Sequence, residues 1–324
     1  MKKPFYTCFL ILSTGLLLLS GCSRDQDTDP SIAALTVATA DFQLLEDAAV
    51  AGGVVETLSN KNPNDSSGKF TVFAPTNAAF ARLGLRTAAD LTGLQTSFLT
   101  STLLYHVANG TIAGSALTGG TSFGSALGVH RRIIARNGSR YVNGSQILAT
   151  DVKAANGTVH VLDKVLLATG VDIVESAVAL KDAQVFTKPE LSFLVEAVLY
   201  ADLAGALKGP GPFTVFAPTD QAFRDLGTLL QVPLNVPADI RRLPKATVTA
   251  VLLNHVVPGA RFTPELPENT TVTPLGGTAL SLGSFAQGML PVQGKSNPAP
   301  ARMVIPDVQC TNGIVHIIDR VLLP

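Results

Sequence analysis

The sequence predicts an α+β fold built as two tandem modules, and three observations predict it. One phrase is written twice: Phe70-Thr-Val-Phe-Ala-Pro-Thr-Asn-Ala-Ala-Phe80 returns 143 residues later as Phe213-Thr-Val-Phe-Ala-Pro-Thr-Asp-Gln-Ala-Phe223. Two further pairs follow in the same order, Leu103-Leu104-Tyr105-His106-Val107 with Leu252-Leu253-Asn254-His255-Val256, and Asn156-Gly-Thr-Val-His-Val-Leu-Asp-Lys-Val-Leu-Leu167 with Asn312-Gly-Ile-Val-His-Ile-Ile-Asp-Arg-Val-Leu-Leu323, at offsets of 149 and 156. Each copy opens with helical spacing and closes with strand-like alternation, which separates it from an alternating parallel fold. A repeat this long is a whole domain, since solenoid units recur at roughly 20 to 50 residues. The drifting offsets reflect loops, Lys61 to Gly68 in copy one and Val232 to Pro244 in copy two, where insertions are cheap.

Met1 to Cys22 has the order of a bacterial lipoprotein signal. Lys2 and Lys3 supply the positive start, Phe9 to Leu19 the apolar run and Leu19-Ser20-Gly21-Cys22 the cleavage box. The run falls short of the ~20 apolar residues that a bilayer core demands. Small Ser20 and Gly21 give a peptidase access, and the thiol of Cys22 is the nucleophile that accepts the lipid. The chain is therefore expected to divide into a signal peptide (1–21), a tether (22–32) and modules at 33–168 and 169–324. Several acyl chains, each methylene contributing ~0.8 kcal/mol, hold such a protein on its membrane. Ser23 after the cysteine and the acidic Asp25, Asp27 and Asp29 point to an outer-membrane lipoprotein facing outward, with the periplasmic face as the alternative. The tether from Ser23 to about Ala33 spans at most ~36 Å, which keeps the modules near the bilayer.

Within each module, Phe42, Leu44, Leu45, Ala48 and Ala49 match Leu191, Phe193, Leu194, Ala197 and Val198, both with amphipathic helical spacing. Phe70 to Pro75 alternates β-favouring residues and stops at a proline, as at a strand's end. A helix is expected next, with Asn77 and Asp220 as N-caps and Gly84 and Gly227 as terminators. Gln95 to Tyr105 has helical spacing and feeds a strand beginning at Val107. The Thr-, Gly- and Val-rich stretches that follow, such as Leu275 to Leu282, suit short antiparallel strands. Asn156-Gly157 and Asn312-Gly313 then mark tight turns into the closing strands. Asp163 and Asp319 are expected to bind backbone amides where those strands break.

The three phrases, in this order and spacing, resemble the fasciclin domain: its first signature block, its Tyr-His block and its second signature block. The resemblance covers nearly everything after the leader. It implies helices packed on a short-stranded, mainly antiparallel β-sandwich or wedge, and extracellular or surface modules for adhesion without a catalytic centre. It also implies partner contacts at the Tyr-His block and at an Asp-Ile motif. The candidate partner-binding residues are thus Tyr105, His106, Asp151, Val152, Asn254, His255, Asp307 and Val308. Asn254 departs from Tyr and both valines from Ile, so a packing role competes with contact at these positions. Ile305-Pro-Asp-Val-Gln309 lacks the leading acid of the animal integrin-binding form, so integrin binding is not carried over.

Composition narrows the function further. Without Lys2 and Lys3, 22 basic residues face 24 acidic ones, a net charge near −2 that disfavours nucleic acid. Arg131-Arg132 and Arg241-Arg242 are the only basic pairs and read as solvated surface. Each module is large enough to bury about two-thirds of its unfolded surface without staples. Cys310, opposite Ala154, is the one cysteine left after the leader and the lipidated Cys22, and reads as a small buried thiol. Four of the five histidines, His106, His160, His255 and His316, recur in pairs without zinc spacing. No nucleophile elbow, phosphate loop or dinucleotide fingerprint occurs, so neither catalysis nor cofactor is expected.

The expected function is a membrane-anchored adhesion or interaction module whose partner is a cell-surface or matrix protein. A glycan-capturing lipoprotein is the alternative. Tryptophan is absent and only four tyrosines occur, so a stacking platform for sugars is thin. The short junction near Ala168 to Gly170 predicts that the modules dock on each other.

Overall fold

The computed structural model describes residues 29–182 and 191–324. The leader, Cys22 and most of the tether lie outside the described residues. In module one, strand Phe70–Pro75 lies between Val107–Asn109, antiparallel, and Gly157–Leu162, parallel. The sheet continues antiparallel through Ser145–Ala154, Ser139–Val142, His130–Arg136 and Ser122–Gly124. Module two repeats the central order with Val256–Pro258, Phe213–Pro218, Gly313–Ile318 and Met303–Cys310. Its remaining strands, Thr270–Val272, Leu280–Leu282 and Val292–Gln293, form a separate antiparallel sheet. The fold is α+β with mixed sheets, because the two signature phrases of each module pair with each other in parallel.

That pairing explains why both phrases recur. Phe70–Pro75 and Gly313–Ile318 are buried along their whole length, as central strands must be. Helices cover one face. Leu44, Leu45, Ala48 and Ala49 are buried on helix Gln43–Ala51, and Phe193, Leu194, Ala197 and Val198 on helix Ser192–Tyr200, as the spacing predicts.

Three local expectations need correction. Helices Asn77–Ala81 and Asp220–Leu230 are capped by Thr76 and Thr219, whose hydroxyls accept from Ala79 and Ala222 amides at 3.3 and 3.2 Å. Asn77 and Asp220 stand one residue inside, where they accept instead from the amides of Leu44 and Phe193, both at 2.9 Å, tying these helices to Gln43–Ala51 and Ser192–Tyr200. Gly84, at φ 84°, follows the end of its helix, but Gly227 lies within Asp220–Leu230, which ends at Gln231 with φ 54°. Gly227 is small because a Cβ there would meet Val232 O at 2.7 Å.

The Asn-Gly dipeptides are also not the turns themselves. Ala154 pairs with Gly157 and Cys310 with Gly313, so Ala155-Asn156 and Thr311-Asn312 make the turns. Asn156 accepts from Ile32 N at 2.8 Å and donates to Leu58 O and Asn60 O, both at 2.8 Å. Asn312 does the same with Ile173 N, Leu207 O and Gly209 O. Each asparagine fastens the module's first helix to the hairpin. Asp163 and Asp319 accept from the amides of Gln146 and Arg302 at 2.6 and 2.7 Å, as expected. Cys310 is buried with Sγ 3.2 Å from Ser176 Oγ, and burial pushes its thiol pKa up.

Candidate interaction site

The Tyr-His blocks end the helices Thr96–His106 and Lys245–Leu253, and their histidines point into the core. His106 Nδ1 lies 2.7 Å from Thr102 O while Nε2 accepts from Leu166 N at 2.9 Å. His255 repeats this with Val251 O at 2.7 Å and Leu322 N at 2.8 Å. Each ring therefore donates from Nδ1 and accepts at Nε2, which fixes it as neutral imidazole. Burial lowers both pKa values to about 4. The tyrosine position diverges. Tyr105 hydroxyl donates to Gln309 Oε1 of module two and accepts from Asn143 Nδ2 at 2.6 Å. Asn254 is fully buried, and neither of its side-chain amide atoms has a hydrogen-bond partner among the described residues.

The Asp-Val positions sit at bulges in strands Ser145–Ala154 and Met303–Cys310. Asp151 and Asp307 adopt left-handed backbone, φ 63° and 67°, which short polar side chains tolerate. Their amides donate to His160 and His316 Nδ1 at 3.2 and 3.1 Å, and those rings bond the carbonyls of Ile112 and Arg261 through Nε2. Their carboxylates accept from Gly114 N at 2.7 Å and Thr263 N at 2.6 Å. The hydrogen bond from Gly114 holds Asp151 below the usual carboxylate range. The second pair of histidines is thus a scaffold for the bulge.

One of these motifs also joins the modules. Lys164 Nζ donates to Asp307 Oδ2 at 2.8 Å and to Gly288 O at 2.9 Å, with Thr263 Oγ1 at 3.4 Å. Strand Leu167–Ala168, at the end of module one, pairs in parallel with Val308 and Gln309. Arg132 pairs with Glu265 and stacks over Phe262, and Arg136 pairs with Glu268 at 2.9 Å and stacks over Phe285. Ile134 and Tyr141 of module one pack with Phe262 and Ile314 of module two. The modules dock on each other, as the short junction predicts.

The structure places most of the candidate partner-binding residues inside the fold. Tyr105, His106, Asn254, His255, Asp307 and Val308 are between 0 and 9% exposed, so none reaches a partner from the folded chain. Asp151 is exposed and Val152 half-buried. No strand pairs with the outer side of Val152 and Lys153 among the described residues. Arg131 is no solvated residue either. It is buried over the Phe73 ring and donates to Tyr105 O and Gly124 O, both at 2.9 Å. Arg241 and Arg242 are exposed, with Glu196 and Asp239 as partners. Sequence reading missed Lys164, Gln309, Arg132 and Arg136 as interface residues, because partners more than a hundred positions away leave no local spacing. Among the described residues, no three His, Cys, Asp or Glu side chains gather as a metal site.

Comparison with known proteins agrees with this duplicated architecture. The fasciclin domain family matches residues 40–168 and 189–324. The pig transforming growth factor-beta-induced protein ig-h3 is 29% identical over 266 residues, covering 80% of this chain and 35% of that protein. An uncharacterized Synechocystis protein is 37% identical over 134 residues, covering 41% of this chain and 88% of its own length. The chain thus spans about a third of the animal relative. A solved domain pair from the insect cell adhesion molecule Fasciclin I aligns over 79% of this chain and 89% of its own, with 16% identity and a TM-score of 0.39. With both halves matched and each half folded around the same paired signature strands, this chain belongs to the fasciclin domain family.

Proposed function

We propose that this chain is an adhesion or protein-interaction module without catalysis, anchored by lipid on Cys22 to the outer membrane and facing outward. The observation that carries the non-catalytic reading is the use made of the recurring polar residues. All four paired histidines, both bulge aspartates and both turn asparagines bond backbone groups of their own fold. That leaves surface contact as the way the pair acts. Family membership supports adhesion, and the order of charge, apolar run and Cys22 supports the anchor.

The outer edge at Asp151, Val152 and Lys153 is the accessible part of the partner-binding residues, and we assign the partner contact to it. An exposed strand edge offers amides and carbonyls to an incoming chain. A protein partner fits better than a glycan, since Tyr105 and Tyr141 are buried and Tyr200 bonds Leu243 O. Membrane fractionation tests the anchor. Wild-type chain is expected in the outer-membrane fraction with incorporated palmitate, and Cys22→Ser in the soluble fraction without label. Soluble, unlabelled wild-type chain would refute the anchor.

A further inference from the structure

We propose that the open edge at Asp151 binds an extended segment of a partner protein as a parallel strand, and that it selects segments with a lysine or arginine three residues before the first paired position. The equivalent edge of module two already holds such a segment, one that belongs to this chain.

Asp151 and Asp307 lie 156 residues apart in the two copies and are built alike. Both stand in left-handed backbone at a strand bulge, with φ 63° and 67°. Both amides donate to a histidine Nδ1, and both Oδ1 atoms accept from the first amide of a short helical turn, Gly114 or Thr263. The outer sides differ. In module two, Lys164 Nζ donates to Asp307 Oδ2 at 2.8 Å, Leu167 and Ala168 run parallel to Val308 and Gln309, and Thr169 N donates to Gln309 O at 3.0 Å. Asp307 is thus level with Leu166, and Lys164 stands two residues behind it. Two residues of extended chain span about 7 Å, which a lysine or arginine side chain can bridge.

Module one presents the same register without the added strand. Val152 and Lys153 pair with Val159 and Thr158, as Val308 and Gln309 pair with Val315 and Ile314. No strand lies on their outer side among the described residues, and Asp151 and Leu148 of the same strand are exposed. A carboxylate beside unpaired strand amides and carbonyls is complementary to an extended chain that carries a cation. Arg140, whose charge also reaches Asp151, donates to Gly114 O at 2.6 Å. Lys153 stands where module two has Gln309, and its charge disfavours a second cation opposite it. The selected segment therefore carries its positive charge ahead of the strand and an uncharged or acidic residue at the second paired position.

The contact is weaker than its internal counterpart. Gly114 has no hydroxyl to match the one that Thr263 gives Asp307, and the pairs of Arg132 with Glu265 and Arg136 with Glu268 are not part of the edge. A single segment is held briefly, and lasting attachment needs several copies on one surface. This ligand class rests on the partner contact assigned above to the edge, and the two can fail separately.

Titration of the isotope-labelled chain from Ser23 onward with an end-capped peptide of residues 162–170, Leu-Asp-Lys-Val-Leu-Leu-Ala-Thr-Gly, tests the proposal through its amide shifts. Saturable shifts are expected at Val152 and Lys153. Lys164→Met in the peptide, or Asp151→Asn in the chain, is expected to weaken binding by about tenfold or more. Asparagine keeps the left-handed backbone and the bond from Gly114 while removing the charge. A peptide that leaves Val152 and Lys153 unmoved, or that binds equally well with Lys164→Met, would overturn the ligand class. If an immobilised matrix protein is still bound and Asp151→Asn weakens it, the edge stands as a partner site for another class of segment. If Asp151→Asn changes neither peptide nor matrix-protein binding, the edge assignment falls as well.

Discussion

Lys164 of module one and Asp307 of module two meet at 2.8 Å, and each side chain is only 9% exposed. Burial is the largest single influence on Asp307 and acts to raise its pKa. The opposing charge of Lys164, with His316 and the bonds from Lys164 and Thr263, outweighs it and holds the group below the usual carboxylate range. Removing Lys164 leaves a buried carboxylate without its counter-charge, at a cost of about 3–5 kcal/mol. Lys164→Met is expected to loosen the modules, read as a larger radius of gyration in small-angle scattering and as two calorimetric transitions. Because the folded pKa is depressed, the contribution of Asp307 is complete above the unfolded value near ~4 and is lost as pH falls through the folded value. Acid should therefore undock wild type as the substitution does.

The buried histidines predict a second, higher pH dependence. His106 and His255 hold pKa values of about 4 because burial disfavours the imidazolium, against 6.5 for a free side chain. The unfolded chain then binds more protons between these values, so stability is full above about pH 6.5 and falls as pH drops toward 4. Each histidine contributes up to about 3 kcal/mol to this loss. Thermal melts between pH 7.5 and 4.5 should show a steady fall in Tm, and a flat profile would contradict the neutral, doubly bonded rings.

Asn254 and Asn143 give opposite expectations for one kind of substitution. Asn143 donates to Tyr105 hydroxyl and to Gln309, whereas Asn254 buries a side-chain amide that has no partner among the described residues. An unsatisfied buried polar group costs about 1–3 kcal/mol, and an apolar residue of similar size removes that cost. Asn254→Leu is expected to raise the urea midpoint, and Asn143→Leu to lower it.

Gly157 and Gly313 are required by close approach rather than by turn geometry. A Cβ at either would overlap the carbonyl oxygen of Phe70 or Phe213 on the neighbouring parallel strand. Gly157→Ala should destabilise module one by about 1–3 kcal/mol or more, because backbone cannot shift as a side chain can. Urea denaturation reads the loss.

Much of this architecture was legible because the chain repeats itself. The duplicated phrases located both modules, and the helical spacing at Leu44 to Ala49 and Phe193 to Val198 named the faces that are buried. Cap positions slipped by one because Thr76 and Thr219 are as able to cap as the residues that follow them. The site was less legible. Recurrence of Asp151 and Asp307 marks importance but does not distinguish a contact from a bulge, and the left-handed backbone that settles their local role has no sequence period. Nor does the pair of arginines at 131 and 132 reveal that one enters the core and the other crosses to the second module.

The central claim is that partner contact belongs to the exposed edge at Asp151 and that the Tyr-His blocks are internal. Binding of the chain from Ser23 onward to a panel of immobilised matrix proteins and glycans tests it most directly, with Asp151→Asn and Tyr105→Phe measured beside wild type. The account predicts binding to protein that Asp151→Asn weakens and Tyr105→Phe leaves intact. Binding confined to glycans, or protein binding lost in Tyr105→Phe and kept in Asp151→Asn, would contradict it.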